Sequence, residues 1–130
     1  MSTASEDRET FRARCDRLLG PGAADLPLDL VGDPAVFSFA ICVGSVARGT
    51  ALEGSDVDVY AETVRSTTGD VDEYRRRLAR FGIDFVMPPN GQSLARWLER
   101  GDPMARSWVV DALVLSDPYG AFAGIRDGMG

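Results

Sequence analysis

The stretch Val43-Gly44-Ser45-Val46-Ala47-Arg48-Gly49-Thr50-Ala51-Leu52-Glu53-Gly54-Ser55-Asp56-Val57-Asp58-Val59-Tyr60 decides how the chain is read. An apolar run over residues 36–43 leads into Gly44-Ser45. The chain then crosses a glycine-punctuated connection and returns as a second extended run that opens with two acids one residue apart. Side chains of an extended segment alternate faces with period two. Asp56 and Asp58 therefore point one way, and Val57, Val59 and Ala61 the other. One face of this strand suits a core, and the other presents two carboxylates side by side.

Two like charges held this close raise each other's pKa, so something must offset them. A hard divalent cation with oxygen ligands does so, and Mg²⁺ typically binds through one or two carboxylates together with substrate phosphates. Gly44 and Ser45 supply the complementary half. A glycine after a strand lets backbone approach a phosphate, and successive amides with a serine hydroxyl donate to its oxygens. A turn that enters a helix adds the favourable field of a helix N-terminus. Ser55 is read as orienting the turn before Asp56. Arg48 is either a triphosphate contact or a solvated loop cation.

The pattern Gly44-Ser45 followed by Asp56-Val57-Asp58 resembles the signature of the DNA polymerase beta-like nucleotidyltransferase superfamily. The fuller string, with Ala47-Arg48-Gly49-Thr50 and Ser55-Asp56, is similar to the minimal nucleotidyltransferases (MNT) of prokaryotic MNT-HEPN toxin–antitoxin pairs, over nearly the whole chain. The resemblance implies a nucleotidyltransferase fold of the α/β (α+β) class: a small mixed sheet, helices packed on one face, and an open active-site face. It implies two Mg²⁺ ions on Asp56, Asp58 and a third acid, and a triphosphate on Gly44 and Ser45, with Arg48 and Ser55 as further nucleotide-binding candidates. The third acid matches Asp84 in Phe81-Gly82-Ile83-Asp84-Phe85-Val86; an acid in an apolar strand is costly to bury alone, so it should face the open side. By the same resemblance Asp84 assists deprotonation of the acceptor, ATP is the donor, and the acceptor is a tyrosine of a small helical HEPN-type toxin that the chain neutralises as antitoxin. The alternatives are a non-catalytic module that neutralises its partner by binding, and transfer to RNA ends or a small molecule.

Composition narrows the classes. A chain of 130 residues allows one domain, 1–130, with a sizeable core. The absence of histidine removes Ser-His and Cys-His nucleophile pairs, histidine zinc sites and histidine acid/base work. A net charge of −6 disfavours long nucleic acid as a partner. No apolar run is long enough to span a bilayer and no charged-then-apolar leader precedes the first helix, which leads to a cytoplasmic expectation. Cys15 and Cys42 are read as packing residues.

The remaining chain reads as follows. Phe11, Cys15, Leu18 and Leu19 predict a helix over 5–19, with Thr3 and Glu6 as a capping box and Gly20-Pro21-Gly22 as its stop. Residues 23–34 read as a loop with at most a short turn, and 35–43 as a central strand. After the strand over 56–62, a polar loop through Ser66, Thr67, Thr68 and Gly69 leads to a helix begun at Asp70, with Val71, Tyr74, Leu78 and Phe81 on one stripe and Gly82 at its end. Arg75, Arg76, Arg77 and Arg80 read as a solvated face rather than a docking surface. A strand over 83–86 ends at Pro88-Pro89. Helices follow over 93–100 and from the Asp102 cap with Pro103 first, the latter packing through Met104, Trp108 and Ala112, so that the tryptophans are core rather than a stacking platform. A short strand over 112–115 and an amphipathic piece over 122–125 complete the chain.

Overall fold

The computed structural model describes residues 4–64 and 71–129. Thr3 of the expected capping box, and the loop through Ser66 to Gly69 with its helix-starting Asp70, lie outside the described residues. In chain order the elements are α1 (Ala4–Leu19), α2 (Asp25–Val31), β1 (Phe37–Val43), α3 (Gly44–Arg48), β2 (Val57–Thr63), α4 (Val71–Ala79), β3 (Ile83–Phe85), a 3-10 turn (Pro89–Gly91), α5 (Leu94–Glu99), α6 (Pro103–Asp111), β4 (Leu113–Ser116) and α7 (Ala121–Asp127). The strands form one mixed sheet in the order β3-β2-β1-β4. β1 is antiparallel to β2 and β4, and β2 is parallel to β3. This is the expected mixed α/β class with a small open sheet.

β1 is central because it is apolar on both sides: of its seven residues only Ser38 is not buried. A register shift between Phe37 and Phe39 resets the alternation. Phe37, Ala40 and Cys42 then join one cluster, and Phe39, Ile41 and Val43 the other. The first cluster also takes Val57, Val59 and Ala61 of β2, as the alternation of that strand requires, and is roofed by Phe11 and Cys15 of α1, Leu28 and Val31 of α2, and Leu78 of α4. The second is roofed by Leu94 and Trp97 of α5, Ala105 and Val109 of α6, and Phe122 of α7. Helices therefore cover both faces rather than one. The expected open face is reduced to the end of the sheet where β2 and β3 begin, because Phe39, Ile41 and Tyr60 are too apolar to leave uncovered.

Two further readings change in detail. Residues 23–34 contain α2, a true helix in which Pro27, Leu28 and Val31 are buried, with the buried Ala24 capping its start; the surrounding Pro, Gly and Asp obscure that stripe. In α6 the buried positions are Ala105 and Val109, with Met104 60% exposed, so the helix faces the core one position away from the expected stripe. Trp97 and Trp108 do pack together, edge to face with ring centroids 4.9 Å apart. The Asp102 cap is as read, accepting from the Met104 amide at 2.9 Å ahead of Pro103; Ser93, expected as the first residue of its helix, instead caps it, accepting from the Arg96 amide at 3.2 Å. Tyr74 and Leu78 turn inward on α4, whereas Arg75, Arg76, Arg77 and Arg80 are exposed.

The edge strand β4 is blocked by α1. The buried Asp7 accepts a hydrogen bond from the Val114 amide at 2.8 Å, which occupies a backbone donor that an edge would otherwise offer to another chain. Among the described residues no helix is long and apolar enough to cross a membrane.

Candidate active site

The site is built where three strands meet one short helix. Val43, the last residue of β1, pairs with Asp58 of β2, and Asp58 pairs with Asp84 of β3. Across the sheet the order is therefore Gly44-Ser45, then Asp58, then Asp84 on the edge strand. Asp56 lies just before β2. Carboxylate oxygens of Asp56, Asp58 and Asp84 all lie within 4.8 Å of one another, Asp56 and Asp84 exposed and Asp58 half-buried.

Gly44 is required twice over. Its φ of +77° is one that L side chains rarely adopt, and a Cβ there would stand 2.9 Å from Oδ2 of Asp58. The turn into α3 thus depends on glycine, and the same glycine leaves room for the central carboxylate. No side chain caps the N-terminus of α3, so its first-turn amides, which have no partner within a helix, remain available as donors. Ser45 sits in that first turn, half-buried.

The other end of α3 is held by α1. Arg14 donates through Nη1 to the carbonyls of Val46 at 2.6 Å and Ala47 at 3.0 Å. Gly49 follows with φ +75°, and a Cβ at that position would approach Arg14 Nη2 to 3.2 Å. Arg14 is a positioning residue that the sequence pattern does not mark. In α1 it reads as one more exposed cation, and its partners are carbonyls more than thirty positions away.

Ser55 acts within the turn before Asp56: its Oγ accepts from the Leu52 amide at 2.8 Å, and its own amide donates to the Leu52 carbonyl at 2.9 Å. That agrees with its reading as the residue that orients the turn. Arg48, in the last turn of α3, is exposed and forms no hydrogen bond or ion pair among the described residues.

Electrostatics set Asp58 apart. Burial, then the charges of Asp84 and Asp56, push its carboxyl above the ordinary carboxylate pKa. None of the ion pairs among the described residues, which join Arg12 to Glu9 and Asp25 and Arg75 to Asp72, reaches these three acids. Three convergent carboxylates without a cationic side chain fit a hard divalent cation, which takes oxygen ligands and removes their mutual repulsion.

A glycine turn thus enters a helix beside clustered acids on adjacent strands. A family model described as a nucleotidyltransferase domain matches residues 38–86, which take in β1 from Ser38 on, Gly44-Ser45 and all three acids. The match supports the superfamily and, with it, a transferase acting on nucleotides. No curated protein matches the chain, and no solved structure does.

Proposed function

We propose that this protein transfers a nucleoside monophosphate, AMP from ATP, to a hydroxyl of a small helical partner, a tyrosine of a HEPN-type toxin, and so acts as an antitoxin in the manner of minimal nucleotidyltransferases. The observation that carries the transfer reading is the convergence of Asp56, Asp58 and Asp84 within 4.8 Å, next to a turn whose glycine leaves space for Asp58. The acceptor and the antitoxin role rest on the likeness of residues 44–58 to those small enzymes.

Asp56, Asp58 and Asp84 would hold divalent cations, Mg²⁺ by preference, which when bound lower the pKa of an attacking hydroxyl and neutralise charge on the phosphates. The α3 amides, Gly44 and Ser45 bind the β- and γ-phosphates, with Arg48 close enough in sequence to assist. This places the leaving group on the β1 side of the acids and the acceptor on the β3 edge, where Asp84 is exposed. Asp84 takes the proton from the acceptor hydroxyl. The acceptor oxygen forms a bond to the α-phosphorus, the bond from that phosphorus to the bridging oxygen breaks, and pyrophosphate leaves. The chain's contribution is positioning and charge neutralisation.

The test is intact-mass spectrometry of the protein encoded beside this one, after incubation with the purified chain, Mg²⁺ and each of the four nucleoside triphosphates. A mass gain of one or more nucleoside monophosphates, lost in Asp58→Asn, is expected. A stable complex with no gain under any nucleotide would replace transfer by neutralisation through binding. Labelling of purified RNA without a protein partner would instead change the acceptor.

A further inference from the structure

The sheet turns apolar directly beyond the acids. Asp58 stands beside Asp84, and Val59 beside Phe85. The Val86 amide donates to the Val59 carbonyl at 2.9 Å, which carries the pairing one residue further. By strand alternation the next side chains on the acids' face are therefore Tyr60 and Val86, about 7 Å along the strands. No other row of side chains lies between the two. Tyr60 is buried and Val86 half-buried, both in the cluster roofed by α5, α6 and α7. Trp108 of α6 lies against Tyr60, with ring centroids 5.7 Å apart, and is itself only half-buried.

Helix geometry fixes the flank that α6 turns to this row. Ala105, Val109 and Ala112 are buried against the sheet. At about 100° per residue, Arg106 and Val110 fall on one side of that stripe, where they share a recess with Arg126 and Met129. Met104, Trp108 and Asp111 fall on the other side, toward β2 and α5. This second flank is not covered: Met104 is 60% exposed, and Trp108 and Asp111 are half-buried. Because α6 also packs against α3, the flank adjoins the Gly44-Ser45 turn at one end and the Tyr60–Val86 row along its length. The two tryptophans differ accordingly. Trp97 is buried and its indole N–H donates to Asp102 at 3.0 Å. The Trp108 N–H has no hydrogen-bond partner among the described residues, whereas an indole committed to a core usually finds one. The expectation that both are core holds for Trp97 and only in part for Trp108.

Resting on the nucleotidyl-transfer reading, we propose that the accessible part of the Trp108 indole stacks on the base of the donor nucleotide, held over the Tyr60–Val86 row. With the β- and γ-phosphates on α3 and the α-phosphorus over the acids, the ribose bridges the single step to that row. The base then meets the flank of α6 that adjoins α3. Stacking engages the π-face that every base carries, so it supplies grip without reading base edges. The ring of an acceptor tyrosine is the competing occupant. It would approach from the β3 edge, where Asp84 is exposed, whereas Trp108 stands on the α3 side of the acids.

The experiment measures, by calorimetry with Mg²⁺ present, the binding of the α,β-methylene analogue of adenosine triphosphate and of inorganic tripolyphosphate to wild type and Trp108→Leu. The variant should bind the adenosine analogue at least about fivefold more weakly, the lower end for one base–aromatic stack, and should keep its tripolyphosphate affinity. Equal affinity of the two proteins for the analogue, or equal weakening of both ligands in the variant, would overturn the proposal. Failure of wild type to bind either ligand would instead overturn the nucleotidyl-transfer reading itself. Should Trp108→Leu not fold, the indole N–H resonances of ¹⁵N-labelled wild type decide. The Trp108 resonance should move with the analogue and not with tripolyphosphate, while that of Trp97 stays in place. A Trp108 resonance that the analogue leaves unmoved, or that both ligands move equally, would overturn the proposal. Movement with N-acetyltyrosine amide but not with the analogue would assign the indole to the acceptor and overturn it too.

Discussion

Asp58 and Glu62 lie four residues apart on the same face of β2, yet their surroundings are opposite. Glu62 is satisfied by its neighbours, accepting the Tyr60 hydroxyl and the Leu94 amide. Asp58 is unsatisfied by comparison: partial burial, then the charges of Asp84 and Asp56, all raise its pKa. One strand therefore carries an acid that holds the fold together and an acid that the fold holds at a cost. Clustered carboxylates that cost stability persist in a folded protein when they do something else, as stored strain does at functional sites.

The largest effect should come from breaking the costly end. Asp58→Asn is expected to lower nucleotidyl transfer at least about 10²–10³-fold, the scale of losing one preorganised electrostatic group, read as the rate of mass gain on the partner, with the circular dichroism spectrum unchanged. Breaking the satisfied end should act on stability. Glu62→Ala strands the buried Tyr60 hydroxyl and the Leu94 amide, and should lower the unfolding free energy in urea by about 1–3 kcal/mol.

The contrast sharpens with pH. The folded pKa of Asp58 lies above its unfolded value, so the folded chain holds that proton more tightly. The cost is fully present above the folded pKa and fades as pH falls toward the unfolded one. In chelator-treated protein, Asp58→Asn should therefore raise the melting temperature at neutral pH, and the gain should shrink as pH falls through the carboxylate range. A gain that grew on acidification would have the wrong sign. The smallest effect concerns groups away from both ends. Burial pushes the Cys15 thiol up to about 12 and Cys42 higher still. Neither is disulfide-bonded, so both should resist alkylation in the native state at neutral pH and react once unfolded.

Much of this was legible in the sequence because it rests on local rules. Period-two alternation placed Val57, Val59 and Ala61 against Asp58, glycine marked the turn at position 44, and an acid in an apolar strand had to face outward, although it was the family resemblance that pointed to Asp84. Asp102-Pro103 announced its helix through cap chemistry. What escaped was long-range or masked. Arg14 reaches α3 carbonyls through tertiary packing that no spacing in α1 encodes. α2 was hidden by the prolines and glycines around its three buried positions. The second helical layer was foreseen element by element, but not its side of the sheet, because that follows from the register shift at Ser38, which turns Phe39 and Ile41 away from α1.

The most direct test of the metal-centred account is a Mn²⁺ titration followed by electron paramagnetic resonance, with wild type, Asp58→Asn and Glu62→Gln in the presence of a non-hydrolysable adenosine triphosphate analogue. The signal of free Mn²⁺ should fall with wild type and Glu62→Gln beyond what the nucleotide alone removes, and should not with Asp58→Asn. Equal uptake by wild type and Asp58→Asn would contradict the assignment of the three acids as the metal centre.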